Sequence, residues 1–250
     1  MIDQLVDPFI EKVAADFWGS AGINTRGPRD LAFAARLTLP LDIVALPDLS
    51  VQNVKKWLQG KDALYLPDVP DSPLFGLLAL YRGNGVIFLE EKDDHRNQRF
   101  TLAHEVAHFL LDCSHPRERA VQWLGTKVLD IFDGRRSATQ EEQIISAFTD
   151  MEMTPHVHLL PRFENTGAWV EQRGKAEERA DVLALELLAP AYEVSAVLRE
   201  QGVAGDYTGC LSTADNLLRE VYELPELKAG YYARRLARGI TGGPSMFTLI

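Results

Sequence analysis

The chain has few cysteines and no long apolar run, and both absences limit the classes of protein to which it can belong. Only two of its 250 residues are cysteines, and Cys113 and Cys210 lie far apart. A disulfide bridge is therefore not expected, and a reducing compartment is expected. No stretch approaches the roughly 18 apolar residues of a membrane span. The first residues also lack the basic segment and apolar run of a secretory signal, so we expect a cytoplasmic protein.

Basic charge is scarce as well. The chain has 26 lysines and arginines against 36 acidic residues, which gives a formal net charge of −10. This balance disfavours broad binding to nucleic acid and is compatible with a basic partner. Apolar residues, in contrast, are plentiful at 46%. A chain of this length can bury a substantial core in one domain, or in one domain with a small appendage.

One short motif carries recognisable chemistry. Residues 104–108 read His-Glu-Val-Ala-His. Residues four apart share a face of a helix, so His104 and His108 can bind one Zn²⁺ while Glu105 lies within reach of a water beside the ion. This arrangement is typical of enzymes that hydrolyse peptide bonds.

The residues around the motif predict a buried helix. Asp93 or Asp94 is a suitable N-cap, and apolar side chains recur at helical spacing at Leu102, Val106, Phe109, Leu110 and Cys113. The alternative interpretation makes the two histidines ordinary polar residues of a core helix. That interpretation does not explain Glu105, because a buried carboxylate without a function is costly.

A third ligand is expected on a second helix, at residues 176–190. One face of this helix carries Glu177, Ala180, Asp181, Ala184 and Leu188. Glu177 can reach a metal there while Asp181, one turn further on, accepts an imidazole N–H. Glu178 points about 100° away and is the second candidate for the ligand. For Glu178 and Glu186 we favour a solvated acidic face.

Together the two segments resemble the ImmA/IrrE family of bacterial zinc metallopeptidases. The resemblance lies in RFTLAHEVAHFLLD at residues 99–112 and ExxADxLAxELLAP at residues 177–190, and it covers about 74–190. It implies one Zn²⁺ per chain, held by His104, His108 and Glu177, with Glu105 as general base and acid. It also implies an α+β, zincin-like protease domain with a small sheet packed on the HExxH helix.

The same resemblance implies a substrate. Relatives cleave a cognate helix-turn-helix repressor and so relieve repression in stress responses or in antitoxin-like pairs. We therefore expect a zinc endopeptidase with such a repressor as its protein partner and no membrane partner. Two alternatives remain open: a metal-binding regulatory module that cleaves nothing, and a DNA-binding regulator.

A long insertion distinguishes this chain from most relatives, because 69 positions separate His108 from Glu177. The predicted helical insertion covers about 114–168. It shows two helical patterns split at residues 133–136, and Ser137 to Gln140 forms a predicted capping box for the second pattern.

A short strand follows in the insertion and places His156 and His158 on one side. We favour surface or structural roles for these two histidines. The alternative for His158 is a hydrogen bond to the oxyanion or the substrate near the zinc, and Tyr192 is an equal candidate for that role.

The rest of the chain predicts a small sheet and additional helices. Helices are expected at 4–17, 28–36 and 50–58, the last with Ser50 as N-cap, and a strand at 41–46. Residues 74–81 and 86–90 predict a hairpin. Either hairpin strand could bind an extended substrate by strand addition.

A helical C-terminal region completes the domain organisation. We predict an N-terminal helical segment at 1–40, the protease domain at 41–190 and helices at 191–250, with helical patterns at 192–199, 213–222 and 225–238. The last two have the spacing of a helix-turn-helix unit, whose end is made basic by Arg234, Arg235 and Arg238. Direct nucleic-acid binding through these helices is disfavoured, because arginines at a helix end more often complement the helix dipole.

Overall fold

The structure is a computed structural model that describes residues 5–59, 70–81, 84–149, 157–162 and 170–244. In these ranges it is a mixed α+β protein with one small sheet, which confirms the predicted class at that level. Its elements in chain order are α1 (Pro8–Ser20), α2 (Leu31–Thr38), β1 (Leu41–Leu46), α3 (Val51–Leu58), β2 (Leu74–Tyr81), β3 (Asn84–Glu90), α4 (His95–His108), a π-helical segment (Phe109–Ser114), α5 (His115–Leu124), a 3₁₀ turn (Thr126–Val128), α6 (Leu129–Phe132), α7 (Gln140–Thr149), β4 (Val157–Pro161), α8 (Val170–Leu188), α9 (Ala191–Glu200), α10 (Tyr207–Glu220) and α11 (Glu226–Thr241).

None of the described helices has the length and apolar character needed to cross a membrane. The chain divides into two compact units. The first unit comprises residues 1–38, 94–103 and 172–250, and the second comprises residues 39–93 and 104–171.

The second unit contains the sheet, whose strand order is β1-β3-β2-β4. β1 is parallel to β3, and β2 is antiparallel to both β3 and β4. The predicted strand at 41–46 and the predicted hairpin are confirmed. The hairpin strands are nevertheless interior, because each pairs on both sides. The expectation that a hairpin strand binds substrate by strand addition is therefore wrong, and the edge strands among the described residues are β1 and β4.

The core of the second unit lies between the sheet and α3. Its fully buried members are Leu49, Val51, Val54, Leu74, Leu77, Ala79 and Phe88. Trp57 of α3 packs edge-on against Phe88, with ring centroids 5.2 Å apart. The start of α3 agrees with its prediction, because Ser50 Oγ accepts a hydrogen bond from the Asn53 backbone N–H at 3.3 Å.

The predicted insertion contains helices α5 to α7 and the strand β4 among its described residues. The first of its two predicted helical patterns is divided into α5, the 3₁₀ turn and α6, and the predicted capping box of the second lies elsewhere. Glu142 N donates to Thr139 Oγ1 at 3.3 Å, and Thr139 N donates to Glu142 Oε2 at 2.8 Å. The box predicted at Ser137 to Gln140 is therefore wrong by two residues. Arg136 also donates to both Glu142 oxygens, and its bonds with those of Thr139 lower the pKa of Glu142 to about 2. This ion pair stabilises Glu142, and not Gln140, as the side chain that completes the capping box at the start of α7.

In the first unit, aspartate caps move two helix starts away from their predicted positions. Phe9 N donates to Asp7 Oδ1 at 2.8 Å, and α1 begins at Pro8 instead of residue 4. Asp206 accepts hydrogen bonds from the backbone of Thr208 and Gly209, and α10 begins at Tyr207 instead of residue 213. In both cases a carboxylate satisfies backbone N–H groups that have no partner within the helix.

Candidate metal centre

Helix α4 carries the HExxH motif, and its start is well defined. Asn97 N donates to Asp94 Oδ1 at 3.0 Å, so Asp94 is the cap among the two predicted candidates. The helix is buried at the motif, as predicted: His104, Glu105 and His108 are 2%, 0% and 1% exposed. Three polar side chains so completely removed from water need specific partners.

The two histidines of the motif face each other. His104 Nε2 and His108 Nε2 are 3.1 Å apart, and the ring planes are inclined by 66°. Two imidazole nitrogens at about 2.0–2.1 Å from one tetrahedral ion would be about 3.3 Å apart. The separation of the two nitrogens therefore fits joint binding of a single ion.

Asp112 orients one of these rings. Asp112 lies in the π-helical segment that follows α4, and its Oδ2 is 2.6 Å from His108 Nδ1. An N–H donated from Nδ1 fixes the tautomer and leaves the Nε2 lone pair available to a metal. Asp112 is not among the site residues predicted from the sequence, although a carboxylate four residues after the second histidine is a local signal for this role.

Strand β4 brings a third histidine to the site. His158 is 8% exposed, and its Nδ1 lies 2.9 Å from Glu105 Oε2. One ring nitrogen of each of the three histidines lies within 4.8 Å of the others. Of the surface or structural role predicted for His158, the surface position is therefore wrong, because pairing of β4 with β2 turns this side chain inward opposite Leu78. His156 lies outside the described residues.

Glu105 is bound at only one of its two carboxylate oxygens. Oε2 receives the His158 contact, whereas Oε1 is buried and has no hydrogen-bond partner in the part of the chain that the structure describes. An unsatisfied buried carboxylate oxygen is costly and uncommon. This oxygen is therefore available to accept a proton or a hydrogen bond from a reacting group.

The expected third ligand lies on α8 of the first unit. Glu177 is half-buried there and Glu178 is exposed, so the solvated role predicted for Glu178 is confirmed. The predicted apolar face is buried at Ala180, Ala184 and Leu188. Asp181, on the same helix, accepts a hydrogen bond from Lys228 Nζ of α11 at 2.6 Å. The roles of Glu177 as a ligand and of Asp181 as an imidazole acceptor stay predictions.

Glu186 is only 3% exposed, so the solvated role predicted for this residue is wrong. Its carboxyl group accepts hydrogen bonds from the Ala191 backbone N–H at 3.0 Å and from the Tyr232 hydroxyl at 3.2 Å. Burial raises the pKa of Glu186 to about 7. The start of α9 needs an acceptor at this point, which explains why a carboxyl group is buried here.

Tyr192 also lies in the first unit, where its hydroxyl donates to Glu193 Oε1 at 2.8 Å. Glu193 is buried and also pairs with Arg29. The hydroxyl of Tyr192 thus belongs to an ion-pair network, while the residue as a whole is 64% exposed. The role of Tyr192 at an oxyanion stays a prediction.

These observations define a buried cluster of histidine and glutamate side chains on an HExxH helix. Imidazole nitrogens and carboxylate oxygens suit Zn²⁺ and also other divalent transition metals. The cluster is therefore a candidate metal centre with a potential general base beside it.

A comparison with protein families indicates which kind of protein carries this candidate metal centre. The sequence model of Peptidase_M78, described as IrrE N-terminal-like domain, matches residues 67–201, which is more than half of the chain. The chain belongs to this family. Searches of curated proteins and of solved structures found no match. Membership confirms the resemblance found in the sequence and supports a metallopeptidase, and His104, Glu105, His108, His158 and Glu177 all lie within the matched residues.

Proposed function

We propose that the protein is a zinc-dependent endopeptidase. The observation that carries this proposal is the buried HExxH cluster, in which two imidazole nitrogens lie 3.1 Å apart and a carboxylate oxygen of the neighbouring glutamate has no hydrogen-bond partner among the described residues. This combination supplies both a metal site and a proton acceptor, as hydrolysis of an amide requires.

The proposed ligands are His104 and His108 of α4 and Glu177 of α8. Family membership supports Glu177, and so does its half-buried place on the small-residue face of α8. Asp181, one turn later, is the proposed acceptor for an imidazole N–H. Two nitrogen donors with one oxygen donor suit Zn²⁺ and leave a position for substrate. When bound, Zn²⁺ supplies a Lewis acid that polarises the scissile carbonyl and lowers the pKa of a water.

Glu105 performs the proton transfers. Its Oε1 takes a proton from the attacking water as the new C–O bond forms, and it delivers that proton to the amide nitrogen as the C–N bond breaks. The products are a carboxylate and an amine. Burial of Glu105 shields these transfers from bulk solvent.

The substrate is proposed to bind as an extended segment along the edge strand β4. This strand carries His158, which contacts Glu105, and its outer edge is open among the described residues. Main-chain pairing at a sheet edge gives affinity with little dependence on side chains. The proposed protein substrate is a cytoplasmic helix-turn-helix repressor, and family membership is its support.

The decisive test is cleavage by the zinc-loaded protein and by its Glu105→Gln variant. The substrates are a peptide library of broad sequence and a purified helix-turn-helix repressor. We expect the wild type to cleave, and Glu105→Gln to lose at least about 100-fold in kcat while it retains zinc.

Glu118→Gln is the matched control, because Glu118 is exposed on α5. We expect this variant to cleave as the wild type does. Full activity of Glu105→Gln would contradict the assigned base. Zinc binding without any cleavage by the wild type would instead favour the regulatory module.

A further inference from the structure

Glu105 and His158 form a contact between two distant parts of the second unit. The two residues are 53 positions apart, and His158 Nδ1 lies 2.9 Å from Glu105 Oε2. Both side chains are buried, with 0% and 9% of their surface exposed. A buried carboxylate with one fixed oxygen and one unpartnered oxygen has a defined orientation.

The ring of His158 stacks on a histidine of the motif. Its centroid lies 3.7 Å from that of His108, and the two planes are inclined by 20°. The in-plane lone pairs of two nearly parallel, stacked rings do not converge on one tetrahedral ion. His104 and His108, inclined by 66° with their Nε2 atoms 3.1 Å apart, do have convergent nitrogens. The geometry therefore favours two histidine ligands from α4 and a separate role for His158.

The sheet holds His158 in this place. β4 pairs with β2 in antiparallel register, with His158 opposite Leu78. At the end of the strand Arg162 donates to Asp93 at 2.6 Å and covers the ring of Phe75 at 4.3 Å. A slip of one residue would turn His158 to the opposite face of the sheet. The strand thus determines the position of the imidazole.

We propose that His158 is a positioning residue for the general base: its Nδ1–H donates to Glu105 Oε2 and thereby directs Oε1 toward the reacting groups. This assignment rests on the proposed peptidase function. It also gives the predicted insertion a role, because β4 (Val157–Pro161) belongs to it. Loss of orientation at a catalytic group costs about 10- to 100-fold in rate.

The test compares His158→Ala with His158→Asn in the zinc-loaded protein. The side-chain amide of asparagine can place an N–H near the position of Nδ1, whereas alanine has no donor. We expect His158→Ala to lose about 10- to 100-fold in kcat with little change in KM and in zinc content. His158→Asn should recover most of that loss. The exposed His95→Ala is the control and should behave as the wild type does.

Nuclear magnetic resonance gives a readout that is independent of activity. In the zinc-loaded wild type we expect a downfield imidazole N–H resonance that disappears in His158→Ala and shifts in Glu105→Gln. Glu118→Gln should leave this resonance in place.

Three results would overturn the assignment of His158. They are loss of zinc from both His158 variants, equal impairment of the alanine and asparagine variants, and wild-type kcat in His158→Ala. If the wild type cleaves nothing, the proposed function fails instead, and the resonance still shows whether the contact with Glu105 exists.

Discussion

At the scale of single residues, the site depends on partners that orient its histidines. His108 is almost fully buried, and its Nδ1 is 2.6 Å from Asp112 Oδ2. We predict that Asp112→Ala weakens zinc binding by about 10- to 100-fold, because the ring loses its fixed tautomer and some basicity. Competition with a chromophoric chelator measures the affinity. Asp42→Ala, at an exposed position of β1, is the control, and equal affinities of the two variants would contradict the role of Asp112.

The sequence predicts some of these residues and not others. HExxH places His104, Glu105 and His108 by helical periodicity alone, so the buried helix follows from local pattern. The position of Asp112, four residues after His108, is equally local. The contact of His158 with Glu105 spans 53 positions and depends on the pairing of β4 with β2. Strand pairing at that distance has no signature in a single sequence.

At the scale of the elements, the start of α7 provides a test of the observed capping box. Thr139 Oγ1 accepts from Glu142 N, whereas Ser137 is exposed and lies outside the box. We predict that Thr139→Ala lowers the free energy of unfolding by about 1 kcal/mol and that Ser137→Ala leaves it nearly unchanged. Urea denaturation of both variants measures the difference. A larger loss in Ser137→Ala would instead support the box read from the sequence.

Most elements were predictable, but their ends and their order in the sheet were less so. The strand at 41–46, the hairpin and the helix capped by Ser50 follow from periodicity and capping residues. The starts of α1 and α10 differ from their predicted positions because the side chains of Asp7 and Asp206 cap these helices. The order β1-β3-β2-β4 makes the hairpin interior, and this order depends on long-range pairing that periodicity does not encode.

At the scale of the whole molecule, stability should depend on pH through Glu186. Burial raises the pKa of this carboxyl group from 4.5 to about 7. Between these two values the folded state binds more protons than the unfolded state, so the contribution of Glu186 to stability falls as pH rises. We predict that Glu186→Gln removes this dependence. Relative to the wild type, the variant should gain about 2–3 kcal/mol in unfolding free energy between pH 5 and pH 8.

Chemical denaturation at pH 5 and pH 8 measures this change. Glu178→Gln is the matched control, because Glu178 is exposed on the same helix. A difference between wild type and Glu186→Gln that is the same at both pH values would show that Glu186 is not the titrating group.

The class of the whole molecule was predictable because its two diagnostic segments are short and local. The HExxH segment and the segment at residues 177–190 both lie within the family match at residues 67–201. The division into two units was not predictable, because the first unit is assembled from three separate parts of the chain. Its members come together only through long-range packing.

We propose that one zinc ion is held by His104, His108 and Glu177. The most direct measurement is elemental analysis of zinc in the purified wild type, in Glu177→Ala and in the matched variant Glu178→Ala. We predict about one equivalent in the wild type and in Glu178→Ala, and little zinc in Glu177→Ala, because a site with two histidines needs a further protein donor. Zinc retained by Glu177→Ala, or absent from the wild type, would contradict the claim.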